Sequence, residues 1–275
     1  MFTSDQIERW LREDVGHHDV TNDVPGETAG RLAAKQEGVA AGIEAAAAVF
    51  GYLDVSVETP ISDGDSVETG EVVLRTAGPA RETLRAERVA VNLAGHASGI
   101  ATKTRRAVDR AREVDPDISI AGTRKTTPGL RGVEKRAIVA GGGDTHRLDL
   151  SHMVMIKDNH IAELGLEAAV STFRERVSFA TKIEVEAESA QQAQRAIEAG
   201  ADIVLLDNFS PTEMRAVVDS LGGVVDDADR KVLLEASGGI TVDSVADYAS
   251  TGVDIISMGS LTHSADCLDY SFRTG

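Results

Sequence analysis

A rhythm in the second part of the chain limits what it can fold into. Short runs of branched apolar residues recur at 118–121, 153–156, 183–185, 203–206, 232–234 and 255–258, with helix-forming stretches between them. Runs this short and this uniformly apolar read as parallel strands covered on both faces. The stretches between them carry helix-end signals. Ser189 precedes AQQAQRAIEA, and Gly200 closes it. Ser210-Pro211-Thr212-Glu213 supplies a cap, a first-turn proline and a capping-box glutamate. Thr241 opens VDSVADYAST, which Gly252 closes. Strand and helix in alternation give an α/β sheet or barrel.

The first hundred residues keep no such rhythm and read as mixed α and β. Ser4 is placed to cap a helix with Ile7, Trp10 and Leu11 on one face. A strand pair is expected within 31–42, an alanine-rich helix at 43–51, and strands at 55–59 and 72–75 around the turn Asp63-Gly64-Asp65. From Pro79 to Arg112 the pattern is helical, with a break expected near Gly95 or Gly99.

The functional signal lies at the C-terminal end of each apolar run. The six runs end in Thr123-Arg124-Lys125, Lys157-Asp158-Asn159-His160, Glu186, Asp207-Asn208, Ser237-Gly238-Gly239 and Gly259-Ser260. In parallel α/β folds the C-terminal strand ends share one face, and active sites sit there. Polar or glycine residues at every one of those ends are hard to explain as packing.

Charge narrows the ligand. Forty-five acids oppose 28 bases in 275 residues, a formal net charge of −17, which disfavours nucleic acid and anionic lipid as partners. Residues 120–160 run against that sign: Arg124, Lys125, Arg131, Lys135, Arg136, Arg147 and Lys157 face only Glu134, Asp144, Asp149 and Asp158. Such a cluster suits a small polyanion, because arginine forks match carboxylate and phosphate oxygens; salt bridges to Glu186 and Asp207 would be its plainer use. The Gly141-Gly142-Gly143 run before His146-Arg147 suits a loop that approaches a ligand closely, or a flexible connector. Glu186 and Asp207 could be helix caps or ion-pair partners, could hold Mg²⁺ or ribose hydroxyls, or could steady a developing positive charge. The glycine turns at 237–239 and 259–260 suit phosphate. Phosphoribosyl transfer, aldol chemistry and phosphosugar isomerisation all fit that pocket. No run of eighteen apolar residues is present, residues 1–14 lack the pattern of a secretory signal, and Cys267 is the one cysteine; a reducing, cytoplasmic setting off the membrane is expected.

At this level of detail the chain resembles quinolinate phosphoribosyltransferase. The resemblance lies in TRKTTPGLR (123–131), GGGDTHR (141–147), MIKDNH (155–160), IEVE (183–186), LLDN (205–208), SGGI (237–240) and MGSLTHS (258–264), in that order, after AERVAVNLAGHASGIAT (86–102). It implies an N-terminal α/β sandwich over 1–103, with 263–275 packing back onto it, and an incomplete, seven-stranded α/β barrel over 104–262. It implies a homodimer with shared active sites, Mg²⁺, and conversion of quinolinate and phosphoribosyl pyrophosphate to nicotinate mononucleotide, pyrophosphate and carbon dioxide. By motif position, Arg88 would be lent by the neighbouring subunit. Thr123, Arg124, His146 and Arg147 would meet the quinolinate, and Lys125 and Lys157 would lie near both substrates. Glu186 and Asp207 would hold ribose and Mg²⁺. Ser237, Gly238, Gly239, Met258, Gly259, Ser260 and His263 would line the phosphate end. Lys125, Lys157, Glu186 and Asp207 are the expected catalytic set. Gly122 and Thr145 depart from the family pattern, which bears on how the arginines are braced.

Two other enzymes compete: a nicotinate-type phosphoribosyltransferase of the same fold, which needs one carboxylate clamp rather than two, and a Schiff-base aldolase using Lys157. A phosphometabolite sensor without turnover is the non-enzymatic alternative. Only seven of the 28 bases are lysines. An acid-rich, lysine-poor surface suits concentrated salt, where the screening length falls to about 3 Å. This halophilic reading predicts a melting temperature that rises with KCl; full stability in dilute buffer would contradict it.

Overall fold

The computed structural model describes residues 2–275. In chain order the first elements are α1 (Ser4–Val15), β1 (Glu27–Ala34), β2 (Gly38–Val39), α2 (Ile43–Tyr52), β3 (Ser56–Glu58), β4 (Ser66–Val67), β5 (Val72–Pro79) and the long α3 (Ala80–Arg112). Next come β6 (Ser119–Ala121), α4 (Arg131–Ala140), β7 (Val154–Ile156), α5 (Asp158–Leu164), α6 (Leu166–Arg176), β8 (Ile183–Ala187), α7 (Ala190–Ala199) and β9 (Ile203–Asp207). The last are α8 (Pro211–Asp226), β10 (Leu233–Ser237), α9 (Val245–Ala249), β11 (Ile255–Ser257), α10 (Ser260–His263) and β12 (Tyr270–Thr274). The chain divides into two compact units. One comprises Met1–Arg105, Thr126–Gly142 and Leu261–Gly275; the other comprises Arg106–Lys125 and Gly143–Ser260. Among the described residues no helix is long and apolar enough to cross a membrane.

The first unit is built on a four-stranded antiparallel sheet in the order β12-β1-β5-β3. Leu32 of β1 lies between Leu74 of β5 and Phe272 of β12, and Phe50 of α2 stacks on Phe272 with ring centroids 5.5 Å apart. Gly30 is forced by that packing, since a Cβ there would sit 2.3 Å from Phe272 Cζ. Asp63, expected only as a turn residue, caps α2 from a distance. Its carboxylate accepts from the N–H groups of Gly42 (3.0 Å) and Ile43 (2.9 Å).

Three local expectations change at the first unit. The N-cap of α1 is Thr3, whose Oγ accepts from Gln6 N at 3.3 Å, and Ser4 is the first helical residue. Helix α3 runs unbroken through Gly95 and Gly99. Those glycines make room for the crossing of residues 266–268: a Cβ on Gly99 would lie 1.9 Å from the Asp266 carbonyl oxygen, and Leu268 N donates to Gly95 O at 2.9 Å. The segment Thr126–Gly142, assigned by resemblance to the barrel, groups with the first unit because Val133, Ala137 and Ile138 of α4 enter its core.

That segment also carries a fully buried acid. Glu134 accepts from Thr127 N at 3.1 Å, and His96 Nε2 lies 2.9 Å from its other oxygen. Burial pushes its carboxyl up, but the bonds from His96 and Thr127 outweigh this and leave it below its ordinary value.

The second unit holds a six-stranded, all-parallel sheet in the order β6-β11-β10-β9-β8-β7. A single parallel bridge between Ala121 and Asp144 adds a seventh position beside β6. The strands are nearly wholly buried, as their uninterrupted apolar character requires. Ser189 and Ser210 cap α7 and α8 as expected, the latter with Pro211 and Glu213 in place. Thr241 does not open a helix directly. It bonds Ser244 (Thr241 N to Ser244 Oγ, 3.1 Å) in a turn, and α9 begins only at Val245.

Because the Glu134 carboxyl is held low when folded, its stabilising bonds are complete above the ordinary glutamate range and fade as pH falls through the depressed value. Glu134→Gln should therefore cost about 1–3 kcal/mol at pH 7, as for a charged hydrogen bond lost from the interior. That deficit should shrink at pH 3.5, read from urea midpoints at the two pH values.

Candidate active site

Parallel pairing carries Lys157, Glu186, Asp207 and Ser237 to the C-terminal ends of β7, β8, β9 and β10. They line a cavity of about 380 Å³ together with Thr123, Arg124, Lys125, His146 and Arg147. The floor is apolar at Met155 and Leu205, and Glu235 and Ser257 complete the lining.

The cations are set by local backbone. Thr123 Oγ accepts from Lys125 N at 3.1 Å, folding the segment after β6. His146 adopts a left-handed conformation (φ 52°), and its N–H donates to Asp144 Oδ1 at 2.5 Å. That turn sends the neighbouring side chains of His146 and Arg147 into the cavity wall. Arg147 is almost buried, and its Nη2 contacts Met155 Sδ at 3.3 Å. Burial and the nearby Arg124 charge lower the Arg147 guanidinium pKa, while Glu184 opposes them. Lys157 Nζ meets Glu186 Oε2 in direct contact.

The acids run deeper than the strand ends indicated. Glu184 and Glu235 are fully buried on β8 and β10, with their Oε2 atoms 3.4 and 3.0 Å from His146 Nε2. Burial, first, and the charge of Glu235, second, hold the Glu184 carboxyl well above its ordinary value. Both acids were missed from sequence. Their signal was a glutamate inside an apolar strand at period two, in IEVE and LLEAS, where a solvated side chain has no place. His146, Glu184 and Glu235 offer ligand atoms within 4.8 Å of one another, a set able to hold a cation. The Glu235 bond, however, occupies the Nε2 a metal would need, and Arg147 already brings positive charge to Glu184. Glu186 and Asp207, hard oxygen donors on adjacent strands, are the better pair for Mg²⁺.

Seven expected site residues fall outside the cavity lining. Gly238 and Gly239 come directly after Ser237 with φ of 99° and 63°. Gly238 is sterically required: a Cβ would lie 2.3 Å from Asn208 Oδ1, against the segment whose Asn208 N donates to Ser237 O at 3.0 Å. Gly239 has open space in front of it. Ser260 Oγ donates to Ile240 O at 3.3 Å, joining the segments after β10 and β11 beside Gly259. Met258 is buried and donates its N–H to Ala121 O, so it packs under the strand ends. Arg88 and His263 belong to the first unit; the Arg88 side chain is 61% exposed on α3, and His263 Nδ1 lies 2.6 Å from Ser264 Oγ. Gly141 packs at a helix, since a Cβ there would be 2.5 Å from Ala101 O, so this part of the glycine run serves packing.

Two family descriptions match the chain in tandem: "Quinolinate phosphoribosyl transferase, N-terminal domain" over residues 19–98 and "Quinolinate phosphoribosyl transferase, C-terminal domain" over residues 100–273. The chain belongs to the quinolinate phosphoribosyl transferase family. Among its relatives, the probable nicotinate-nucleotide pyrophosphorylase [carboxylating] of Methanothermobacter thermautotrophicus is 47% identical over 276 residues, covering 98% of each chain. The human nicotinate-nucleotide pyrophosphorylase [carboxylating] is 41% identical across 97% of this chain and 90% of its own. The crystal structure of the Ehrlichia chaffeensis nicotinate-nucleotide pyrophosphorylase superposes with a TM-score of 0.90 at 32% identity, covering 100% of this chain and 99% of that one. The cation-lined cavity at the strand ends has the chemistry to receive a polyanion.

Gly238→Ala should cost about 1–3 kcal/mol, combining a strained positive φ with overpacking against Asn208. Gly239→Ala, strained but unobstructed, should cost less; urea midpoints of the two variants make the comparison.

Proposed function

We propose that the chain transfers the phosphoribosyl group of phosphoribosyl pyrophosphate to the ring nitrogen of quinolinate. The products are nicotinate mononucleotide, pyrophosphate and carbon dioxide, a step of NAD biosynthesis. The observation that carries this is the cavity's composition. Arg124, Lys125, His146, Arg147 and Lys157 line it together with apolar Met155 and Leu205 and the carboxylates Glu186 and Asp207, Glu186 in direct contact with Lys157.

An aromatic dicarboxylate matches that receptor. Its ring lies against Met155 and Leu205, and its carboxylates take the guanidinium forks of Arg124 and Arg147 and the His146 imidazole. Breaking the bond from C1 to pyrophosphate leaves an oxocarbenium-like ribosyl group, which the fixed carboxylates of Glu186 and Asp207 stabilise. Lys125 and Lys157 neutralise charge gathering on the leaving pyrophosphate. The ring nitrogen's lone pair forms the new bond to C1, and the nitrogen becomes cationic. The adjacent cation stabilises the electron pair left on the ring carbon as the carboxylate departs as carbon dioxide, and a proton takes the carboxylate's place. The protein's share is positioning and electrostatics. Glu186 and Asp207 would hold Mg²⁺, which would supply further charge neutralisation for the leaving pyrophosphate.

The active form is a homodimer in which Arg88 of one subunit completes the site of the other; its exposure on α3 supports such a role. The segments at Ser237–Gly239 and at Gly259 and Ser260 receive the 5′-phosphate, supported by the open backbone at Gly239. The acid-rich surface fits a salt-rich cytoplasm. An aldolase reading of Lys157 is disfavoured, because Glu186 engages the amine a Schiff base requires.

The test offers quinolinate and nicotinate separately, with phosphoribosyl pyrophosphate and Mg²⁺ in high-salt buffer. Nicotinate mononucleotide from quinolinate alone, with one carbon dioxide per product, is expected; product from nicotinate alone would move the chain to the sister activity. Arg124→Ala should raise the quinolinate KM by about tenfold or more, the loss of one charged clamp, with little change for phosphoribosyl pyrophosphate. Mixing Arg88→Ala with Arg124→Ala subunits should restore part of the activity; verified heterodimers without recovery would mean a self-contained site.

A further inference from the structure

Two buried carboxylates beneath an anion receptor need an explanation. Glu184 and Glu235 have no exposed surface, and neither oxygen of Glu184 nor Oε1 of Glu235 accepts a hydrogen bond among the described residues. Both are costly to bury, and any negative charge they carry repels an anion above them. Their shared neighbour is His146 Nε2, 3.0 Å from Glu235 and 3.4 Å from Glu184. His146 stands on a strained left-handed backbone immediately before Arg147, and both side chains line the cavity. With Nε2 engaged from below, Nδ1 is the ring atom left to face a ligand. Glu184 also balances the Arg147 guanidinium, which its burial and Arg124 work against. A receptor of closely packed cations repels itself and would splay when empty; acids underneath hold it together.

We propose that Glu235, seconded by Glu184, is a positioning residue for the acceptor carboxylates: by anchoring His146 Nε2 it sets the His146–Arg147 pair before substrate arrives. The inference rests on the phosphoribosyl-transfer reading and adds residues to its acceptor site. It opposes simple electrostatics. Removing a negative charge from below an anion site should tighten anion binding if the acids act only through their field, and weaken it if they act by holding the clamp.

The experiment measures both KM values for the full chain carrying Glu235→Leu, a change of similar size that removes both the charge and the acceptor for His146 Nε2, alone and combined with His146→Ala. We expect the quinolinate KM to rise about tenfold while that of phosphoribosyl pyrophosphate stays within about twofold. In the His146→Ala background the same change should add less than about twofold, because its route is already cut. A quinolinate KM that falls or holds, an equal rise in both KM values, or a full tenfold effect without His146 would each overturn the proposal. Should Glu235→Leu fail to fold, Glu235→Ala enters the same cycle with the same expectations. Wild-type protein that makes no product from quinolinate would refute the phosphoribosyl-transfer reading itself, before any variant is compared.

Discussion

Everything at the candidate site depends on parallel strand pairing. When β7, β8, β9 and β10 run the same way in register, the residues that end them arrive on one side of the sheet. Ser237 stands opposite Asp207, and Glu186 opposite Leu205, by backbone hydrogen bonding alone. The apolar runs bear the cost of burial, and the polar strand ends are left where water or a ligand can reach them. An antiparallel arrangement of the same segments would scatter those ends over two edges.

The second constraint is charge balance in a partly desolvated space. Arg124, Arg147 and Lys157 cannot crowd a 380 Å³ cavity unless acids stand among them. Lys157 meets Glu186 at the rim, and His146 meets Glu235 and Glu184 at the base. This arrangement keeps cations and carboxylates side by side in one partly desolvated space, each offsetting the other.

In the first unit the governing device is close approach of backbone. Gly30, Gly42 and Gly99 sit where a methyl group would strike Phe272, Ala97 or Asp266. Gly99 in particular lets residues 266–268 cross α3, after which β12 adds to the edge of β1. A glycine inside a helical pattern reads in sequence as a weak point; its partner lies 167 positions away at Asp266, and no local rule names it.

The strand–helix alternation, the caps at Ser189 and Ser210 and the polar strand ends were legible because they are local: a period, a cap or a motif is complete within about ten residues. So was the family, whose motifs at 123–131, 155–160 and 205–208 are contiguous. Three decisions were not local. Segment 126–142 joined the first unit because Val133, Ala137 and Ile138 found their apolar partners there. Glu184 and Glu235 became a pair because β8 and β10 flank β9 in the sheet. His146 became their partner because a left-handed turn at φ 52° points it at them. Sequence by itself determined the elements, the strand ends and the kinship of this chain. Tertiary structure decided which charges share a buried space, since desolvation and pairing depend on distances between residues far apart in the chain.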